Sequence, residues 1–98
     1  MSNVIRLRKS YVSHADEFSL AIMRRIGAKH WVTVKEILGE GREKYIVKAR
    51  DEAILCVKRE TGFSSKRLAI IFGKECSSIR HSIRRTRNRE LSRQKLDH

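Results

Sequence analysis

The chain has 98 residues, 40% of them hydrophobic, and its 23 Lys and Arg stand against 11 Asp and Glu for a formal charge of +12 and an isoelectric point near 10.5. A chain of this length suits one domain, burying about 60–65% of its unfolded surface on folding, so the core is small and shared by a few elements. The apolar content excludes wholesale disorder, no run reaches the roughly 20 apolar residues of a membrane span, and a charge excess that repels itself in the compact state points to a polyanionic partner, nucleic acid first and an anionic membrane surface second.

Proline is absent, so glycine carries most of the punctuation, and Gly27, Gly39, Gly41, Gly62 and Gly73 cut the chain into helical lengths. Residues 1–13 read as a flexible basic arm in which Val4, Ile5 and Leu7 interleave with Arg6, Arg8 and Lys9. That arm has no apolar core of secretory-leader length. The helical domain is expected over 14–90. A first helix is predicted from Ala15 to Ala28, with Phe18, Ala21, Ile22 and Ile26 as its inward stripe. Asp16 and Glu17 lie at its positive end, Arg24 and Arg25 toward its negative end. His30 to Val34 is β-branched and aromatic, but one strand alone has no partner, so it reads as a linker whose Trp31 plugs the core.

Val34, Ile37 and Leu38 then make a short helical turn capped by Thr33, followed by a polar loop from Gly39 to Lys44. The best-patterned helix is expected from about Glu43 to Glu60, with Ile46, Ala49, Ala53 and Val57 on one face, Ile54 and Cys56 flanking it, and Thr61–Gly62 as its stop. A short helix capped by Ser64 or Ser65 turns Leu68, Ile71 and Phe72 inward and closes on a left-handed Gly73. The last helix opens near Ser77 with Ile79 and Ile83 inward, and runs on through Arg84, Arg85, Arg87, Arg89 and Arg93. Past Arg89 it has no apolar stripe, so 91–98 are expected as a frayed tail. The fold class is therefore all-α, a small helical bundle.

Cys56 and Cys76 read as reduced thiols of a cytoplasmic protein, and His14, His30, His81 and His98 show no spacing that joins them in a zinc site. There are no paired carboxylates in an apolar setting and no Ser/His/Asp order around a nucleophile turn. No catalytic residue, metal or cofactor is expected.

The segment from Ser64 to about Arg89 is different: two short amphipathic helices around a glycine turn, the second studded with Arg and His. In a helix-turn-helix the first helix crosses the DNA backbone and the second enters the major groove. Ser77, Ser78, Arg80, His81 and Arg84 are the outward residues of that second helix. Serine hydroxyls suit phosphate oxygens or base edges, arginine suits the O6 and N7 of guanine as a fork, and histidine donates to base or phosphate acceptors. Arg84, Arg85, Arg87, Arg89 and Arg93 also read as phosphate contacts beside the groove, against the plainer alternative of a solvated charge run.

Further features carry a resemblance. They are the "V-x-x-I-L" turn at Val34, a basic loop, a long helix with "V-x-A-R…A-I" closing on "E-T-G", an "S…L-A-x-x-F-G" helix, and "S-S-I-x-H" opening the last one. Together these resemble the C-terminal DNA-binding domain of the bacterial replication initiator DnaA, without gaps from Val34 to about Gly73 and over roughly residues 15–90 in all. The resemblance implies a Trp-repressor-like helix-turn-helix fold. It implies that Arg42 enters the minor groove, that Lys44, Lys48 and Arg50 are basic or polar contacts at the start of the next helix, and that Ser64, Ser65 and Lys66 touch phosphate. It implies that Ser77, Ser78 and His81 match the Thr/Ser pair and the His of the recognition helix.

The chain also departs from that family. The family's turn reads Gly-Gly-Arg-Asp-His before the Thr/Ser pair, whereas here Gly73–Lys74–Glu75–Cys76 is one residue shorter, and Arg80 replaces an apolar residue. The Arg, Asp and His of the family's turn are absent, with Cys76 where the His would stand; those are base-reading positions, so the family's own box sequence is not the expected target. The phosphate-cradling Gly-x-x-x-x-Gly-Lys-Ser/Thr loop of the initiator's ATPase is missing. The expectation is a stand-alone, non-enzymatic binder of double-stranded DNA, cytoplasmic and nucleoid-associated. It takes no small-molecule substrate and regulates transcription or replication initiation by occupying its site. The alternative is a general polyanion binder on RNA or an anionic membrane.

Overall fold

Asp16 opens the first helix: its carboxylate accepts the Ser19 backbone N–H at 2.7 Å, the side-chain cap that frees an N-terminus from unpaired donors. The structure is a computed structural model that describes the backbone over 16–97 and side chains through 93; the predicted arm at 1–13 lies outside the described residues. Helix α1 spans Glu17–His30 and buries Ser19, Ile22, Met23, Ile26 and Gly27, the i, i+3, i+4, i+7, i+8 row of one face. This corrects the expected stripe. Phe18 is 52% exposed and Ala21 is exposed, because the inward face is turned toward Met23 and Gly27.

The end of α1 explains that turn. Trp31 closes the helix in the left-handed conformation with φ 60°, and the Val32 N–H donates to the Gly27 carbonyl at 2.8 Å. A Cβ on Gly27 would stand 2.2 Å from the Val32 carbonyl oxygen, so the chain doubles back over a position where only glycine leaves room. Val32, not Trp31, enters the core. Trp31 is 92% exposed, which corrects the expectation that it plugs the interior.

Helix α2, Val34–Leu38, starts with a reciprocal capping box: the Glu36 N–H donates to the Thr33 hydroxyl, and the Thr33 N–H donates to the Glu36 carboxylate at 2.9 Å. Helix α3, Lys44–Thr61, stops at Gly62 with φ 75°. Helix α4, Ser65–Phe72, is capped by Ser64, whose hydroxyl accepts the Arg67 N–H, and stops at Gly73 with φ 65°. Both glycines take the left-handed cap that costs other residues energy. Helix α5, Cys76–Asp97, starts one residue earlier than expected and continues as helix past Arg89. Its far half lacks an apolar stripe, but the Arg59 guanidinium grips both Glu90 carboxylate oxygens, at 3.0 and 2.6 Å, and ties it to α3.

Helix α3 packs against each of the other four described helices. Its buried Ile46, Ala49, Ala53, Ile54, Leu55 and Val57 form the centre, joined by Ile22, Met23 and Ile26 of α1, Ile37 of α2, Leu68, Ile71 and Phe72 of α4, and Ile79 and Ile83 of α5. Among the described residues the fold is an all-α bundle of five helices without strands. The inward residues predicted for α3, α4 and the start of α5 are buried, and Leu55 and Ala69, which the period did not single out, join them.

Candidate nucleic-acid interface

The turn between α4 and α5 is three residues long, Gly73–Glu75, and each helix buries one side. Leu68, Ile71 and Phe72 face Ile79 and Ile83. With Ile79, Ser82, Ile83 and Thr86 of α5 turned inward, the opposite stripe is solvent-facing. Ser77, Arg80, His81 and Arg84 are all exposed, and their i, i+3, i+4, i+7 spacing lays them along one line. Ser78 and Arg85 are exposed at the edge of that stripe, on the side toward the loop before α3.

That loop is held by two cations. The Arg50 guanidinium donates to the carbonyls of Ile37 at 2.7 Å, Glu36 at 2.9 Å and Gly41 at 3.0 Å. Lys74, in the turn between α4 and α5, donates its ammonium to the Gly39 carbonyl. Burial lowers the Lys74 pKa from its ordinary value, and the nearby Arg50 charge lowers it further. The carbonyls of Glu36, Ile37, Gly39 and Gly41 are thereby fixed at the end of α2 and along the loop, and Arg42, next along it, is exposed. Arg50 lines the hollow it shares with Arg42, Ser78 and His81 but offers it little surface. The resemblance implied a DNA-facing residue; the structure buries the side chain at 9% exposure and turns its fork onto backbone.

A second clamp joins α3 to α5. Asp51, 1% exposed, accepts from Arg85 Nε and Nη2, both at 3.1 Å, and Arg89 stands 3.5 Å from the same carboxylate. The carboxylate beside it raises the Arg85 pKa further. A planar fork on a carboxylate is fixed in direction as well as distance, so Arg85 is presented at a set angle while about half its surface stays open.

The predicted site residues divide accordingly. Arg42, Lys44, Lys48 and Arg85 line an open groove of ≈ 960 Å³ between the start of α3 and α5. Arg42 and Arg85 also line its continuation, ≈ 940 Å³, with Ser78 and His81. Ser77, Arg80 and Arg84 lie outside the groove, on the exposed stripe of α5. Ser64 and Lys66 are exposed and Ser65 half-buried at the start of α4, and the Ser64 hydroxyl is engaged in its capping bond. Asn88 and Ser92, not singled out from the sequence, complete the groove wall together with Arg89 and Arg93, which were expected as phosphate contacts. Arg85, Arg89 and Arg93 recur at every fourth residue, one helical face, and that period was the available signal.

Among the described residues no group of three or more His, Cys, Asp or Glu side chains is placed to hold a metal ion, and no helix is long and apolar enough to cross a membrane. No protein-family profile, curated protein or solved structure matches the chain.

Proposed function

We propose that this chain binds double-stranded DNA with a sequence preference, inserting the exposed stripe of α5 into the major groove. The observation that carries the reading is the pairing of that stripe with an apolar underside. Ile79 and Ile83 hold the helix on the bundle while Ser77, Arg80, His81 and Arg84 face solvent together. A helix so mounted offers several hydrogen-bonding side chains to base edges in one register. Arg42, on a loop clamped by Arg50 and Lys74, is the residue for the adjacent minor groove, as in the DnaA domain the sequence resembles. The shortened turn and Arg80 shift the target away from that family's box. Such a DNA-binding module works by occupancy, excluding or competing with other proteins at its site to regulate transcription or replication initiation.

Selection from a pool of random duplexes at physiological salt tests this. A sequence-reading helix enriches one family of sites over scrambled DNA. Equal retention of every duplex, with RNA or anionic vesicles bound as well, overturns base reading and leaves a general polyanion binder.

A further inference from the structure

The groove between α3 and the far half of α5 gathers six cations, Arg42, Lys44, Lys48, Arg85, Arg89 and Arg93, around a Val47 floor, and no carboxylate lines it. Asp51, buried beneath, engages only Arg85 and Arg89. Arg42, Lys44 and Lys48 make neither hydrogen bond nor ion pair with any described residue. Offset only by Asp51 beneath and by Glu52 and Glu90 along one edge, these cations repel one another, and a run of anions relieves that repulsion. The open shape of the groove suits a chain passing through it rather than an enclosed small molecule.

The groove is offset from most of the base-reading stripe, meeting it only where its continuation reaches His81. Ser77, Arg80 and Arg84 of that stripe do not line it, and it is built from Arg85 to Arg93 of α5, the start of α3 and Arg42 of the loop before it. At 1.5 Å per residue, the 22 residues of α5 span about 33 Å, well over the ~12 Å width of the major groove, so the helix has length to spare beyond its base-reading turns. We infer that this groove is a second, sequence-blind site that seats consecutive phosphates of one nucleic-acid strand, with Lys48 and Arg93 gripping from opposite walls. The inference rests on the proposed function for its partner. It adds a backbone track that makes the far half of α5 part of the footprint and sorts the arginine run. Arg85, Arg89 and Arg93 serve phosphate, while Arg80 and Arg84 serve base edges in the DNA major groove.

The test is the salt dependence of duplex binding, followed by anisotropy from about 50 to 200 mM KCl, for the full chain and for the double substitution Lys48→Gln with Arg93→Gln. Both side chains are exposed and carry no hydrogen bond, so coincident thermal melts are expected. Two lost phosphate contacts reduce the log–log slope by about 1.8 on preferred and scrambled duplexes alike, leaving the preference between them intact. The matched double Arg24→Gln with Lys35→Gln removes the same charge from exposed positions on α1 and α2 and leaves the slope unchanged. A native slope in the groove variant, or an equal loss in the matched control, overturns the site. Inorganic tripolyphosphate separates the sources of phosphate. Release of duplex only at millimolar tripolyphosphate supports a strand, and release at micromolar concentrations makes the free polyanion the ligand and overturns the strand assignment. If the wild-type chain shows no duplex preference, base reading falls while a slope loss in the groove variant still stands. If the preference persists and the slope does not move, this inference falls alone.

Discussion

Trp31 and Arg50 show how far a side chain's type can mislead about its place. Trp31 is the only tryptophan, yet it occupies a left-handed helix stop and lies almost wholly in solvent. A non-glycine residue there costs about 1 kcal/mol or somewhat more. Trp31→Gly is expected to leave stability unchanged or raise it by about 1 kcal/mol, measured by urea unfolding followed by circular dichroism. A loss of about 3 kcal/mol or more, the size expected of a core tryptophan, contradicts this placement. Arg50 is the reverse case, a cation drawn inward. Arg50→Met keeps the aliphatic bulk but strands three carbonyls, and is expected to cost about 2–4 kcal/mol of stability. An unchanged urea midpoint combined with weaker DNA binding would return Arg50 to the DNA surface and undo the loop clamp.

At the scale of elements, capping chemistry and period carried most of the information. Thr33, Ser64, Gly62 and Gly73 terminate helices where local geometry requires it, and the inward face of α3 follows from its period alone. The face of α1 was ambiguous. Phe18, Ile22 and Ile26 make a regular row, and so do Ile22, Met23, Ile26 and Gly27, since the two share Ile22 and Ile26. What decides between them is a contact five residues further on, where the Val32 carbonyl crosses Gly27, and no periodicity encodes that. Gly27→Ala tests this crossing. In an ordinary helix interior the change is favourable by about 1 kcal/mol; here it is expected to destabilise by about 2 kcal/mol or more, as strain at a close backbone approach does. A gain in thermal stability would show that α1 and the linker do not meet as described.

Across the whole molecule the cationic excess is unevenly placed, and only the folded chain sorts it. The arginine run of α5 reads in sequence as one charged stretch. Folding assigns Arg85 to Asp51, Arg89 to the same carboxylate, and Arg80 and Arg84 to solvent, because helical period sends neighbours in sequence to different faces. Six of the acids, Asp16, Glu36, Asp51, Glu52, Glu60 and Glu90, are engaged by donors or cations. Burial works to raise the Glu52 pKa, but contacts from Lys29 and His30 outweigh it, and Arg59 holds Glu90 down, so both carboxyls lie below the ordinary 4.5. Each is harder to protonate folded than unfolded. The unfolded chain therefore takes up protons first, and the stability these pairs supply holds above about pH 5 and is lost as pH falls through the lowered folded values. Urea midpoints should be level from about pH 7 to 5 and decline toward pH 3. A midpoint that stays level to pH 3 would remove these pairs from the acid response.

Base reading by α5 is decided by discrimination rather than affinity. Ser78→Ala and Arg80→Ala, each measured on the selected duplex and on its scrambled counterpart at one salt concentration, are expected to lose about 1–3 kcal/mol on the selected site and far less on the scramble, so that preference narrows. Equal losses on both duplexes, with the preference between them intact in both variants, would mean that α5 touches only phosphate and that no helix of this bundle has been correctly assigned to the bases.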